Sequence, residues 1–320
     1  MGDDGARGHY VHLSYHKWML EDEARMAALT AMVSTLVRPG DVVADLGTGT
    51  GILALLAKEA GAARVYGVEA SPIVRLARRM LAMNGVQDVT LLEGDMTTVQ
   101  LPEPVDVVFS ECLGNLAFGD RMFRKVGAFA ARWLKPGGRR GPQRVRLFAQ
   151  AADCRLFGDP RPFWRRPYRG LDLSAFLPAV ESEVSVVDVV PSFLFDAPSL
   201  LLDFDPYERA DHYVLTGSWS LPTGRVCNAV ALWFDVDWAP GVTMSTSARA
   251  PATHWAQVIL RVPERPTEAG DRLEFALRVD FDEEETPLYR WSGHYVTATG
   301  ARTLAFHRRA SDPFSLDEGA

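Results

Sequence analysis

Apolar residues repeat with two different periods along this chain. Within residues 14–37, Met19, Leu20, Met26, Leu29 and Met32 return at helical spacing, with acids near the start, which predicts one amphipathic helix. From Asp41 to about Gln150 the pattern changes. Short apolar runs at Val42–Leu46, Arg64–Glu69, Val89–Glu93 and Val105–Ser110 alternate with helical stretches, and such alternation predicts a parallel, doubly wound sheet. A helix near residues 123–134 is expected to stop at Lys135-Pro136-Gly137-Gly138. The next strand, residues 145–151, leads out of that region. Residues 158–169 then form a proline- and arginine-rich excursion, with a short helix expected near 173–177. Short alternating runs follow over 182–190, 199–204, 213–219, 228–236, 253–261, 272–280 and 289–298. Strands this short, parted by Gly, Pro and Asp turns, predict an antiparallel barrel or sandwich. The tail after Arg309 is expected to fray.

The chemistry concentrates where the first strand ends. Residues 43–53 read Val-Ala-Asp-Leu-Gly-Thr-Gly-Thr-Gly-Ile-Leu, an apolar strand that meets Gly47, Gly49 and Gly51 and then a helix. Glycines there let the backbone take φ > 0 and let a ligand approach without meeting a Cβ. The helix start offers unpaired N–H groups. Glu69, about twenty residues on, ends the second strand, where an acid accepts hydrogen bonds from ribose hydroxyls. An adenosine-type cofactor is therefore expected. The spacing is G-x-G-x-G with no following Lys, which suits neither a dinucleotide nor a nucleoside triphosphate. Asp45 adds a negative charge where a cationic sulfonium and amino group could sit.

Composition adds a few limits. The chain has 320 residues, 47% hydrophobic and 23% charged, enough for one large or two moderate domains. No apolar run is long enough to span a bilayer, and the first residues lack a hydrophobic signal core, so a cytoplasmic location and no membrane are expected. Cys112, Cys154 and Cys227 are too scattered for a disulfide framework or a zinc site, so no metal is expected. A net charge of −7 argues against nucleic acid and suits cationic ligands. Lysine occurs only at 17, 58, 125 and 135, an arginine bias like that of a GC-rich bacterial genome.

The glycine turn with Asp45 and Glu69 resembles motif I of class I S-adenosylmethionine (SAM) methyltransferases, and four further segments resemble the protein arginine methyltransferases from about residue 10 to 300. Residues 15–25, Tyr-His-Lys-Trp-Met-Leu-Glu-Asp-Glu-Ala-Arg, are similar to that family's H-x-x-M-L-x-D-x-x-R helix. The resemblance implies that His16 and Met19 pack on the cofactor and that Arg25 binds its carboxylate. Phe109-Ser110-Glu111-Cys112-Leu113-Gly114, running on to Asp120, resembles the double-glutamate loop that grips a guanidinium. Glu111 matches the first acid and Asp120 stands at the second. Thr253-His254-Trp255 after Ser245-Thr246-Ser247 resembles the T-H-W loop, which implies that His254 pairs with Asp22. Phe163-Trp164-Arg165-Arg166-Pro167-Tyr168 falls at the place of the dimerisation arm and implies a homodimer. Ile52, Leu53, Ala70, Asp95 and Met96, with Glu111, complete the implied cofactor-binding set.

The resemblance implies the fold class as well: α/β followed by β. A helical cofactor lid (1–40), a Rossmann-like SAM-binding domain (41–151) and an antiparallel β-barrel substrate domain (152–320) with an arm at about 158–180 are expected. Two departures bear on the substrate. Of the family's Y-F-x-x-Y segment only Tyr10 survives, and Asp120 is one methylene shorter than the usual glutamate, a change of about 1.5 Å in reach that near-attack geometry feels. With Cys112 and Leu113 in the loop, the leading expectation is methyl transfer to a small natural-product acceptor of secondary metabolism, at indole C3 or a guanidine nitrogen. Protein arginine N-methylation is the alternative. Glu111, Asp120, His254, Asp22 and Tyr10 are the expected catalytic residues in either case.

Overall fold

The computed structural model describes residues 12–118, 122–207, 210–283 and 286–310. The N-terminal helical stretch is two helices, not the single one that spacing predicted. Helix α1 spans Leu13–Glu21 and α2 spans Glu23–Leu36, with Asp22 extended between them (φ −72°, ψ 90°). The cause is local. Asp22 caps α2, its Oδ1 accepting the Arg25 backbone N–H at 2.9 Å, an interaction on the order of 1 kcal/mol. Arg25 consequently lies in the first turn of α2 and not on the helix that carries His16 and Met19.

Five parallel strands follow: β1 (Val42–Leu46), β2 (Arg64–Glu69), β3 (Val89–Glu93), β4 (Val105–Ser110) and β5 (Leu134–Gly141). Their order is β3-β2-β1-β4-β5. Helices α3 (Ile52–Glu59), α4 (Ile73–Met83) and α5 (Met122–Trp133) belong to this layer. Every residue of β1 is buried, as a strand covered on both faces requires. The strand order reverses between β1 and β4, and open α/β sheets bind ligands at the carboxyl edge of that point. Strand β5 was not expected. The helix ends at Trp133, and Lys135-Pro136-Gly137-Gly138, expected as its stop, lie within the strand that begins at Leu134. A sheet edge tolerates Pro and Gly, and the register is broken opposite Val105 and Val107.

The rest of the chain is mainly antiparallel. Strands β6 (Arg144–Ala152), β7 (Ser185–Val187), β8 (Leu194–Phe204), β10 (Val226–Ala239), β11 (Val242–Ser245) and β12 (Gln257–Pro266) form one sheet in the order β7-β12-β10-β6-β8, with β11 on β10. Strands β9 (Tyr213–Ser220), β13 (Arg272–Phe281), β14 (Pro287–Val296) and β15 (Arg302–Arg309) form the second, ordered β15-β14-β13-β9. Both sheets contribute to one core, which includes Leu232, Phe234, Leu277 and Trp291. A short helix, α6 (Arg161–Trp164), lies in the proline-rich excursion. Residues 182–190, expected as a strand, are instead the end of α7 (Leu177–Ser182) and the three-residue β7. The strand expected over 253–261 starts only at Gln257, because residues 253–256 form a turn in which Ala256 has φ 47°. Among the described residues no helix is long and apolar enough to cross a membrane.

Candidate active site

The glycine turn closes the carboxyl end of β1. Gly47, Gly49 and Gly51 all have positive φ. At Gly47 a side chain has no room as well, since a Cβ there would lie 2.6 Å from Cys112 Sγ. The His16 imidazole packs over Gly49, 3.4 Å from where a Cβ would be. The turn is fastened to β2 through Gly47 N–H to Val68 O (2.8 Å). Glu69 accepts Gly49 N–H at 3.0 Å on one oxygen and Ser71 N–H at 2.7 Å on the other. Each oxygen keeps a further lone pair, so the carboxylate is held in place with acceptor capacity to spare.

Behind the turn Asp45 is fully buried and accepts the Thr48 hydroxyl at 2.5 Å. Burial pushes its carboxyl up from 3.8 to about 7, and the nearby charges of Glu69 and Glu111 add to the rise against the Thr48 hydrogen bond. Three carboxylates thus crowd one edge of the sheet. Cys112 shares this setting. Burial, followed by the charges of Glu111, Glu69 and Asp45, pushes its thiol up to about 12, so it is a packed thiol and no nucleophile.

Three segments distant in sequence meet beside the turn. Glu111 follows β4, and its Oε2 accepts Arg25 Nε–H at 2.7 Å and a second bond from the same guanidinium. Both side chains are buried. Arg25 also donates to the Met19 carbonyl at 2.9 Å. On the other side, Asp22 Oδ2 accepts the His254 backbone N–H at 2.8 Å and lies 2.9 Å from His254 Nδ1. Burial alone would raise the Asp22 carboxyl, but the bonds from His254 and from Arg25 outweigh it and hold the group below its ordinary value. It is a carboxylate that orients an imidazole. Tyr15 and Trp18 set ring edges against His254, with centroids 6.4 and 5.6 Å away.

The structure therefore brings together His16, Met19, Asp22, Arg25, Asp45, the three glycines, Glu69, Glu111 and His254. Ile52 and Leu53 begin the helix after the turn, with Leu53 buried in the core, and Ala70 is exposed just past Glu69. Two expected cofactor residues use their side chains otherwise. Asp95 Oδ1 caps the turn at Thr97 (N–H at 2.7 Å), and Met96 packs in the apolar cluster with Tyr66, Val68 and Leu101. Tyr10 and Asp120 lie outside the described residues. Sequence reading passed over Thr48, Asn115 and the indole of Trp255. Thr48 could have been found, because Asp45 and Thr48 are three residues apart at a turn. Asn115 Nδ2 donates to Trp255 O at 2.9 Å across 140 residues of chain, a contact with no local signal. Among the described residues no cluster of three or more His, Cys, Asp or Glu side chains is placed to hold a metal ion.

A family model described as a methyltransferase domain matches residues 43–138. The arginine methyltransferase oligomerization subdomain matches residues 143–285. Protein arginine N-methyltransferase 8-B of Danio rerio is 28% identical over 299 residues, covering 85% of this chain and 71% of the relative. Histone-arginine methyltransferase CARMER of Drosophila ananassae is 31% identical over 273 residues, 79% of this chain, and the chain spans about half (51%) of that protein's length. Among solved structures, Arabidopsis thaliana protein arginine methyltransferase 10 superposes with a TM-score of 0.81 at 25% identity, covering 94% of this chain and 98% of the other. The Trypanosoma brucei PRMT1 enzyme–prozyme complex with AdoHcy shares the fold, with a TM-score of 0.81 at 22% identity over 94% of this chain and 99% of that one. The residues present fit SAM on its cationic side, where Asp45, Glu69 and Glu111 crowd one edge of the sheet, whereas the Arg25 guanidinium, implied for the cofactor carboxylate, is bonded here to Glu111 and the Met19 carbonyl. The chain is a class I, SAM-dependent methyltransferase built like the protein arginine methyltransferases.

Proposed function

We propose that this enzyme methylates a guanidinium nitrogen of arginine in a protein or peptide. The observation that carries the reading is the meeting of Glu111 with the His254–Asp22 pair at the carboxyl edge of β4, beside the glycine turn. Arg25 takes Oε2 of the Glu111 carboxylate, which leaves Oε1 to accept an N–H bond from a planar cation, orient it, and stabilise the charge that remains on it as a nitrogen attacks. SAM supplies a methyl group already activated as a sulfonium, so the protein's work is alignment and exclusion of water. His254, held by Asp22, is placed to take the proton that the methylated nitrogen releases. The relatives named above are arginine methyltransferases, and the match to their oligomerization subdomain points the same way. Support for a flat neutral acceptor such as indole is weaker. Cys112 Sγ tucks under Gly47 and Leu113 is buried in the core, so neither side chain opens a new apolar wall. Steady-state kinetics decide between the two: kcat/KM for an Arg-Gly peptide should exceed that for agmatine and for indole, and the reverse order would restore the small-molecule reading.

We further propose that SAM binding is linked to Asp45 ionisation. Folding raises this carboxyl, so in the cofactor-free protein its contribution to stability is present below its ordinary 3.8 and is lost as pH rises toward about 7. A bound cation favours the ionised form. SAM affinity should therefore increase from pH 6 to pH 8, with up to one proton released per SAM bound. Calorimetry in buffers of different ionisation enthalpy measures that release, and Asp45→Asn should abolish it.

We also propose that the enzyme is a cytoplasmic homodimer. Phe163, Tyr168, Leu171 and Phe176 are exposed on the arm, with Phe163 and Phe176 flanking Trp164 at centroid distances of 5.2 and 4.9 Å. Exposed clusters of large apolar side chains mark partner surfaces. Replacing Phe163 and Leu171 by Glu should weaken self-association by at least about 30-fold, as loss of an interface anchor does. Sedimentation velocity would show a monomer where the parent chain gives a dimer. An unchanged sedimentation coefficient would place the interface elsewhere.

A further inference from the structure

The groups an acceptor must meet are joined by hydrogen bonds that close into a ring. Glu111 Oε2 is held by the Arg25 side chain, and the Arg25 backbone N–H is held by Asp22 Oδ1. Asp22 Oδ2 holds His254 through its backbone N–H and Nδ1. The next residue, Trp255, donates its indole N–H to the Leu113 carbonyl at 2.8 Å and accepts the Asn115 carboxamide N–H at 2.9 Å. Leu113 N–H in turn lies 3.3 Å from Glu111 Oε1, which closes the circuit.

We propose that Asn115 is a positioning residue for methyl transfer, fixing the loop that carries Glu111 against the loop that carries His254. The proposal rests on the reading of Glu111 and His254 as the acceptor-side groups. The loop after β4 folds back on itself, with Ala117 at φ 62° and its N–H bonded to Gly114 O at 2.8 Å. Beyond that turn Phe118 packs against Phe204, Tyr213 and Phe281, with centroids 5.1 to 6.4 Å apart. Rings anchor the far end of the loop, and Asn115 ties its tip. Asn115 is exposed whereas Trp255 is buried, so removing the carboxamide leaves the core intact and frees only the tie. The tie needs a donor, because its target is a carbonyl. Asp at this position would offer acceptors alone.

The test uses Asn115→Ala, Asn115→Asp and Asn115→Gln in the full chain. The readouts are SAM affinity by calorimetry, melting temperature, kcat and KM for an arginine peptide, and the Trp255 indole N–H resonance by NMR, which reports the bond to the Leu113 carbonyl. Ala and Asp should lower kcat about tenfold, the worth of one hydrogen bond. SAM affinity, KM and melting temperature should hold, and the Trp255 indole N–H resonance should shift as the two loops loosen. Gln keeps the donor on a longer arm and should recover part of the loss. Unchanged kcat in both Ala and Asp variants overturns the proposal. So does a fall in kcat that merely follows a fall in melting temperature or in SAM affinity. If the parent enzyme methylates no arginine peptide, the proposed function fails on its own, and the NMR resonance then decides. A Trp255 indole N–H resonance unmoved by Ala and Asp would overturn the positioning role.

Discussion

Glu111→Gln should lower kcat about 10³-fold, the loss expected when one preorganised charge-stabilising group is removed from an active site. Gln has the shape of Glu, and its carbonyl oxygen can still accept from Arg25, so the link between α2 and the loop after β4 survives. What disappears is the negative charge. A guanidinium in the site then loses the partner that fixes its plane and stabilises its positive charge while one of its nitrogens attacks the methyl carbon. The defect should appear in kcat far more than in SAM affinity, because Asp45, Glu69 and Arg25 remain. Some loss of stability is expected too, since both members of the Arg25–Glu111 pair are buried and Arg25 would keep its charge. Circular dichroism and calorimetric SAM binding of the purified variant separate the two effects. A variant that is folded, binds SAM and turns over at the parent rate would remove Glu111 from the mechanism.

Asp22→Asn should be almost as severe, for a different reason. The Asp22 carboxylate serves three donors: the Arg25 and His254 backbone N–H groups, together with His254 Nδ1. An Asn keeps one acceptor oxygen, so whichever way it turns, either the helix cap or the hold on His254 is lost. Changing the carboxylate behind a catalytic imidazole to an amide can cost up to about 10⁴-fold in kcat through a wrong tautomer. Here a loss of about 10²-fold or more is expected on that ground, together with a lower melting temperature from the lost cap. The sign of the pH effect follows from the depressed Asp22 carboxyl. Its stabilisation is present above the ordinary carboxylate value and disappears as pH falls through the lower, folded value. The parent enzyme should therefore lose stability in acid through Asp22, and the Asn variant should lose less. Equal acid sensitivity in both would show that Asp22 carries no such linkage.

Some of this architecture could be read from the chain because its causes are local. Strands β1 to β4 match their apolar runs residue for residue, and the glycine turn announces itself within eleven positions. Glu111, Asp22 and His254 stood out as motif residues, although nothing in spacing alone could say that they converge. Other features depend on competition or distance. The helical period runs straight through Asp22, and the break is decided by a side chain that caps better than it continues. Strand β5 contains the Pro-Gly-Gly that reads as a stop signal, which an edge strand can tolerate. Strand β15 hides because much of Arg302–Arg309 faces solvent, leaving Phe306 as its buried anchor. Met96, which the resemblance places in the cofactor set, has its side chain in the apolar cluster with Tyr66, Val68 and Leu101, a placement that no local pattern announces. Asn115 sits inside the double-acid loop segment, but nothing local marks its role, since its partner Trp255 lies 140 residues away in the chain.

The most direct test of the account is to locate the transferred methyl group. A peptide containing one arginine, one lysine and one tryptophan is incubated with the purified chain and SAM, then fragmented in a mass spectrometer. The proposed chemistry places each added methyl on the arginine side chain, with none when Glu111→Gln replaces the parent enzyme. A methyl group found on the tryptophan ring instead, formed by the parent and lost in the variant, would contradict guanidinium methylation.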